Sequence, residues 1–266
     1  MVKYLTMIIT PLQGKFNQHE FFIYSAADEK YFDEFGKSLI NSINANSNTP
    51  IHFHIFNPRP DQLEFCKNKN VSVTYEYVSI EMFEAAAKKL EELAVDQFGQ
   101  DRKHRTLTAM AKGGDVSVLE RMLKTYYACA RFIRLAENVK SSQKLFAIDV
   151  DAIVRSPVKL LPDDADIYIH KNRQFLAGGL YLNGTNASYN FLKEYKELLM
   201  VSIQRDIIYW SLDQDILDNI VPSYVYKELP RSYIDWNMLP TSIIWTAKGK
   251  RKDLEIFKLE KEKYKD

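Results

Sequence analysis

Leu145-Phe-Ala-Ile-Asp149-Val-Asp151-Ala-Ile-Val154 is the stretch on which the reading of this sequence turns. The run from Lys144 to Ile148 reads as a short buried strand of a parallel sheet. It ends on two acids spaced i and i+2. In an extended segment such a pair shares one face. Two carboxylates on one face can hold a hard divalent cation, Mn²⁺ or Mg²⁺, usually together with substrate phosphates. Ligand sites of open α/β sheets lie at the carboxyl ends of strands. A solvated loop with two acids has the same pattern, so the rest of the chain must supply the context.

Upstream, Glu20-Phe-Phe-Ile-Tyr-Ser25 reads as another buried strand. A helix follows through Phe35, Leu39, Ile40 and Ile43, and turn-rich Asn44 to Pro50 ends it. Ile51-His-Phe-His-Ile-Phe56 is a strand with alternating side chains, and Val71 to Val78 is a third. Strand, helix, strand in this rhythm predicts βαβ units and an α/β fold. Glu81 to Val95 and Val118 to Ala136 read as helices. Between them lies a polar segment, Gln97 to Ser117, that ends near Gly113-Gly114. Downstream, Ile167 to His170 and Gly179 to Asn183 are strand-like, Tyr189 to Arg205 is an amphipathic helix, and Asp213 to Asn219 begins another. With no internal repeat and no linker, residues 1–247 read as one domain and 248–266 as a basic C-terminal tail.

Composition narrows the function classes. The chain has 266 residues, 46% hydrophobic and 27% charged, which excludes disordered and low-complexity classes. Its 36 basic and 35 acidic residues leave a net charge of +1, which argues against a nucleic-acid partner. Cys66 and Cys129 read as free thiols of a reducing compartment. With neither a signal-like N-terminus nor a long apolar span, the expected location is the cytoplasm.

Two further stretches give the acidic pair its context: Phe175-Leu-Ala-Gly-Gly-Leu-Tyr-Leu-Asn183 and Ser211-Leu-Asp-Gln-Asp-Ile-Leu217. The order of apolar strand with DxD, then AG with a later Asn, then DQDxL resembles the GT-A glycosyltransferases, specifically glycosyltransferase family 8. That family includes the bacterial lipooligosaccharide galactosyltransferases and the glycogenins. Phe22-Ile-Tyr-Ser-Ala-Ala-Asp28-Glu-Lys-Tyr31 is similar to the family's opening strand and helix, and the resemblance spans about residues 20 to 252. It implies a GT-A fold, a Rossmann-like mixed sheet flanked by helices.

The resemblance also implies roles. Ala26, Ala27 and Asp28 would bind base and ribose, and Tyr31 would stack on uracil. Val150 would line the nucleotide site. Arg131 would contact the diphosphate or the donor sugar. Asp149 and Asp151 would hold Mn²⁺ or Mg²⁺. Ala177 and Gly178 would line the sugar pocket, Asp213 would bind sugar hydroxyls, and Gln214 would sit against the β face of the anomeric carbon. In the basic segment, Lys252 is the first choice for a diphosphate contact and Lys250 the second. The chemistry suits these residue types, because a nucleoside diphosphate leaves readily only when its developing charge is neutralised.

There are departures from the pattern. Where the family closes its site with HxxGxxK, Thr246 stands in place of the His, while Gly249 and Lys252 keep the spacing. Leu176 replaces an Asn before the AG pair. The span from Asp149 to Ala177 is short, so an acceptor-side element is expected to be missing. Among the remaining residues, His52 and His54 read as structural and Cys129 as core. His104, within Arg102-Lys-His-Arg105, reads as solvated surface, or as part of a lid hinged at Gly113 and Gly114. Tyr209, Trp210 and Trp236 could stack on an acceptor or fill the core.

The expected activity is metal-dependent transfer of a hexose from a UDP-sugar to a hydroxyl of a saccharide or lipid-linked saccharide, with retention. The basic tail also allows a weak peripheral contact with anionic lipid. Two alternatives stay open: an inverting GT-A enzyme with Asp213 or Asp235 as base, and a non-catalytic nucleotide-sugar binding module.

Overall fold

Apolar strand residues and amphipathic helices assemble here into one mixed sheet with helices on both faces. The computed structural model describes residues 10–81, 83, 84, 87, 88, 117–204 and 211–265. Strand β1 (Gln13–Gly14) precedes β2 (Phe21–Asp28). A helical segment follows, made of α1 (Glu29–Tyr31), a π-helical turn (Phe32–Gly36) and α2 (Lys37–Asn46). Then come β3 (Ile51–Phe56), α3 (Pro60–Asn68), β4 (Ser72–Glu76), α4 (Val118–Asn138), β5 (Lys144–Ile148) and β6 (Ala152–Val154). The remainder is β7 (Ile167–Lys171), β8 (Phe175–Leu182), α5 (Asn186–Gln204), α6 (Leu212–Ile220), β9 (Tyr226–Glu228), β10 (Ile244–Thr246) and α7 (Glu255–Glu262).

The main sheet runs β1-β4-β3-β2-β5-β8-β7-β9, and β6 pairs with β10 beside it. Strands β4, β3, β2 and β5 are parallel. Strand β8 is antiparallel to both β5 and β7, so β7 points the same way as β5. The carboxyl ends of β2, β5 and β7 therefore share one edge, and that edge carries Asp28, Asp149 and His170. The start of β8 meets them there, with Gly179 opposite Ile148.

Local chemistry explains the main elements. Helix α4 buries Met122, Tyr126, Cys129, Ile133 and Ala136, a stripe at helical spacing. The Ser117 hydroxyl caps its first turn by accepting from Glu120 N at 3.2 Å. Helix α3, absent from the sequence reading, starts with Pro60 in its first turn and a Gln62 side chain that accepts from Arg59 N at 3.0 Å.

Strand β3 is buried on both faces, so its alternation does not separate core from solvent. Ile51, Phe53 and Ile55 join the cluster under α2, whereas His52 and His54 enter a polar ladder on the other face. His52 Nε2 and His54 Nδ1 meet the Thr74 hydroxyl at 2.9 and 3.0 Å. His54 Nε2 lies 3.3 Å from Glu76, which Arg134 holds by two contacts of 3.0 and 2.7 Å.

Residues 248–265 pack onto this body. Phe257 is buried, Asn46 Nδ2 donates to the Tyr264 hydroxyl at 2.8 Å, and Arg155 pairs with Glu260 at 3.2 Å. Most of the expected 81–95 helix lies outside the described residues. So do His104, Gly113, Gly114, Tyr209 and Trp210. No helix among the described residues is long and apolar enough to cross a membrane.

Candidate active site

A cavity of ≈ 370 Å³ opens at the shared sheet edge. Its floor is Ala26, Ala27 and Asp28 at the end of β2, with Tyr31 on the following turn. One wall is the 149–151 turn and the other is the start of β8, at Ala177 and Gly178. Helix α4 contributes Arg131, and Ser211, Asp213 and Gln214 close the far side. Asp28 also caps the next helix, its Oδ1 accepting from Tyr31 N at 2.7 Å.

The acidic pair does not lie in an extended strand. Val150 and Asp151 form a turn between β5 and β6, so the two carboxylates reach the same cavity by a bend rather than by a shared strand face. Ser25 Oγ holds the end of β5 by donating to Ile148 O at 3.0 Å. The ladder continues one step further, with Asp149 N donating to Gly178 O at 3.3 Å. Glycine at 178 leaves room for the acid: a Cβ there would lie 2.2 Å from Asp149 Oδ2 and would displace this carboxylate.

Each acid has its own cation. Arg131 Nη1 donates to Asp149 Oδ1 at 2.7 Å, and Nη2 lies 3.9 Å from Asp213 Oδ2. Lys252 Nζ pairs with Asp151 Oδ2 at 2.8 Å and sits 4.7 Å from the Tyr31 ring. Burial pulls the Asp149 carboxyl upward, but the adjacent guanidinium outweighs it and the net shift is down. Burial, reinforced by the Asp149 charge, pushes Asp151 up. Asp213 is likewise raised by burial, against Arg131. Burial opposes the Lys252 ammonium, yet Asp151 and Tyr31 leave it raised.

Asp151 Oδ1 is buried and has no hydrogen-bond partner among the described residues. A buried carboxylate oxygen left unpaired beside a second carboxylate fits a hard divalent cation. Among the described residues the cavity offers the carboxylates of Asp149 and Asp151, with no third His, Cys, Asp or Glu gathered beside them. That donor number suits an ion that completes its shell with substrate phosphates and water. Thr246, where the family pattern has His, is buried in β10, and it lines a small cleft with Asp149 and Lys248.

Other expected residues separate. Asp215, the second acid of DQD, accepts from Gln174 Nε2 at 2.6 Å and ties α6 to the β7–β8 turn. Ser211 just before α6 has φ +74°, the left-handed conformation that non-glycine residues rarely take and that clusters at functional sites. Asp235 is not a free base. Its Oδ1 accepts from Asn237 N, and its Oδ2 from Leu239 N and Ser242 Oγ, each at 2.7 Å. Lys250 is exposed and outside the cavity, whereas Lys248 lines it. The sequence reading also passed over Lys124 and Ala128. They recur with Arg131 at i, i+4 and i+7 on α4, a spacing that marks one helix face.

No protein-family model and no curated protein matches this chain in sequence. Solved structures do resemble it. The glycosyltransferase GlyE of Streptococcus pneumoniae TIGR4 superposes with a TM-score of 0.52 at 13% identity, covering 94% of this chain and 60% of that one. The galactosyltransferase LgtC, solved with donor and acceptor sugar analogues, gives 0.49 at 13% identity, covering 91% of this chain and 95% of that one. Mouse xyloside xylosyltransferase 1 gives 0.47 at 10% identity over 87% and 98%. At these identities the likeness is one of fold, and the fold is that of the GT-A glycosyltransferases.

Proposed function

We propose that this protein is a glycosyltransferase that moves a hexose from a UDP-sugar to a hydroxyl of a saccharide or lipid-linked saccharide, with retention and with Mn²⁺ or Mg²⁺ as cofactor. The observation that carries the reading is the unpaired, buried Asp151 oxygen beside Asp149. It lies in a cavity that also holds an aromatic ring, Tyr31, and an ammonium, Lys252. Asp149 and Asp151 are the residues that would hold the cation, which would neutralise charge on the departing diphosphate.

The chain's own groups supply the rest. Tyr31 offers a face to the base. Lys252, 4.7 Å above that ring, stands where a phosphate joined to a stacked nucleoside would lie, and Lys248 flanks it. Arg131 fixes the orientation of Asp149 through the 2.7 Å contact, so the carboxylate is aimed before substrate arrives. Ala177 and Gly178 let the sugar ring approach the backbone, with Asp213 and Gln214 opposite as partners for its hydroxyls. In the transfer the bond from the anomeric carbon to the phosphate oxygen breaks. The acceptor oxygen bonds to that carbon, and the acceptor proton passes to the departing phosphate. An inverting route with Asp235 as base has no support, because both its oxygens are committed to its own turn. Exposed basic and apolar residues of 248–265, such as Lys258 and Leu259, are compatible with a weak contact to anionic lipid.

Calorimetric titration of UDP, with and without Mn²⁺, tests the site, beside an Asp149→Ala/Asp151→Ala variant. Metal-dependent binding that the variant loses is the expected result. Binding without turnover of any UDP-sugar would favour a non-catalytic binding module, the reading to which Thr246 in place of His points. The anomeric configuration of the product, read by NMR, decides retention.

A further inference from the structure

The nucleotide cavity ends at Asp149 and Gly178, and a second, smaller cleft begins on their other side. Asp149, Gly178 and Lys248 line both. Trp236 also lines the smaller cleft. A sugar held between Ala177, Gly178 and Asp213 would therefore meet its second substrate from the Trp236 side.

Trp236 is half-buried, and the surrounding chain fixes it. It sits in the turn that Asp235 ties down with three hydrogen bonds of 2.7 Å. Its ring meets the edge of His170, at the end of β7, with centroids 4.9 Å apart and planes at 79°. The His170 ring is buried, and its Nδ1 has no partner among the described residues. The Arg251 guanidinium lies 5.9 Å from the Trp236 ring. Burial, with Arg231 and Lys248, holds the His170 imidazole pKa down against the pull of Glu228. Arg251 adds a third cation, and the acids around it are Glu228, Asp149 at the cleft and Asp235 in the Trp236 turn.

We propose that Trp236 is the stacking platform for the acceptor and that the acceptor is an anionic saccharide, a sugar bearing a carboxylate or phosphate, whose charge Arg251 and Lys248 read. The proposal rests on the glycosyltransferase reading for the word acceptor, but the platform itself stands on the geometry. An aromatic face presents a rigid apolar surface to the C–H face of a sugar ring at low entropic cost. A guanidinium beside it matches a carboxylate or phosphate by paired hydrogen bonds. His170 is a positioning residue that holds the indole upright.

The test uses saturation-transfer NMR and calorimetry on the UDP-loaded protein, with galactose against galacturonate and glucose against glucose 6-phosphate as probes. The acidic sugar of each pair should bind at least about fivefold more tightly than its neutral parent. Arg251→Ala should erase that preference while leaving neutral-sugar binding in place. Trp236→Ala should weaken both members of each pair about tenfold, and Trp236→Phe should restore most of the loss. Circular dichroism of each variant confirms that it is folded. Equal affinity for acidic and neutral sugars overturns the anionic assignment, and sugar binding unchanged in Trp236→Ala overturns the platform. UDP titration of the wild type is a separate arm. Acidic sugars that bind through Trp236 to a protein blind to UDP would sink the donor reading and leave the platform standing.

Discussion

Arg134 and Arg131 lie one turn apart on α4, and each reaches a carboxylate across the sheet. Arg134 meets Glu76 through Nε and Nη2 at 3.0 and 2.7 Å, adds Glu137 at 2.9 Å, and donates to Thr10 O as well. All its nitrogens are engaged, and the Glu76 side chain is fully buried. Among the described residues the Arg131 side chain makes one hydrogen bond, to Asp149, and its Nε has no partner. The nearby Asp151 Oδ1 is likewise unpaired. Both clusters are charged, so charge does not separate scaffold from site, although the Asp149 side chain is 35% exposed and that of Glu76 is fully buried. Between these two clusters the difference is unused hydrogen-bonding capacity on opposed charged groups, a stronger signal than the single unpaired oxygens of the core residues Tyr126 and Asn183.

The comparison breaks most sharply at Arg134. Arg134→Met leaves Glu76 charged and buried among His54 and Thr74, so urea unfolding should show a loss of about 3–5 kcal/mol. A double variant that also carries Glu76→Gln should recover part of it. A single-variant loss below about 1 kcal/mol would mean that the ladder is not holding the sheet to the helix.

In the cluster around Asp149 and Asp151 the effect should fall on chemistry. Asp151→Asn is expected to lower sugar transfer about 100-fold or more, with Tm unchanged or raised, since it removes a buried charge next to Asp149. Function here is held against stability. A clear drop in Tm with transfer intact would place Asp151 in the scaffold.

The two regions should also differ in acid. Burial, with a smaller push from His54, holds the His52 pKa down to about 3. Glu76 is brought to about 2, where hydrogen bonds from His54 and Arg134 outweigh the upward pull of burial. An unfolded chain protonates its histidines near pH 6.5 and its glutamates near pH 4.3. The unfolded state therefore binds protons first. His52 should cost stability as pH falls from about 6.5 toward 3, at a slope of up to about 1.4 kcal/mol per pH unit. Glu76 should add its share below about 4.3. Unfolding free energies between pH 7.5 and 4 would show this, and a flat profile would contradict it.

The sequence carried the site's main axis because the relevant signals are local. Strand β5 is a bare apolar run with acids at its end, α4 and α5 have clear helical periodicity, and the AG and DQD stretches fall in the expected order. What it hid is non-local. Glu76 and Arg134 stand 58 positions apart, and nothing near either announces the other. Strands β6, β9 and β10 have three residues each, too short for a period to register. The 149–151 bend depends on how β6 pairs with β10, which a pattern of alternating residues does not encode. Asp235 looked like a free acid until its turn closed on it.

The smallest difference concerns lysines within one short segment. Gly249 takes φ +63°, and Gly249–Asp253 then winds as a tight helical turn. At about three residues per turn, Lys252 falls on the same side as Gly249, which lines the cavity, and Lys250 falls on the outside. Lys252→Ala removes an ammonium that already sits between Asp151 and Tyr31, so UDP affinity should fall about tenfold. Lys250→Ala removes a solvated charge whose field water and salt screen, and the change should stay within about twofold at physiological salt. Dissociation constants for the two variants under one buffer decide the matter. Equal losses would mean that net positive charge, rather than the turn's geometry, draws the nucleotide in, and raising the salt would then weaken both variants and the wild type alike.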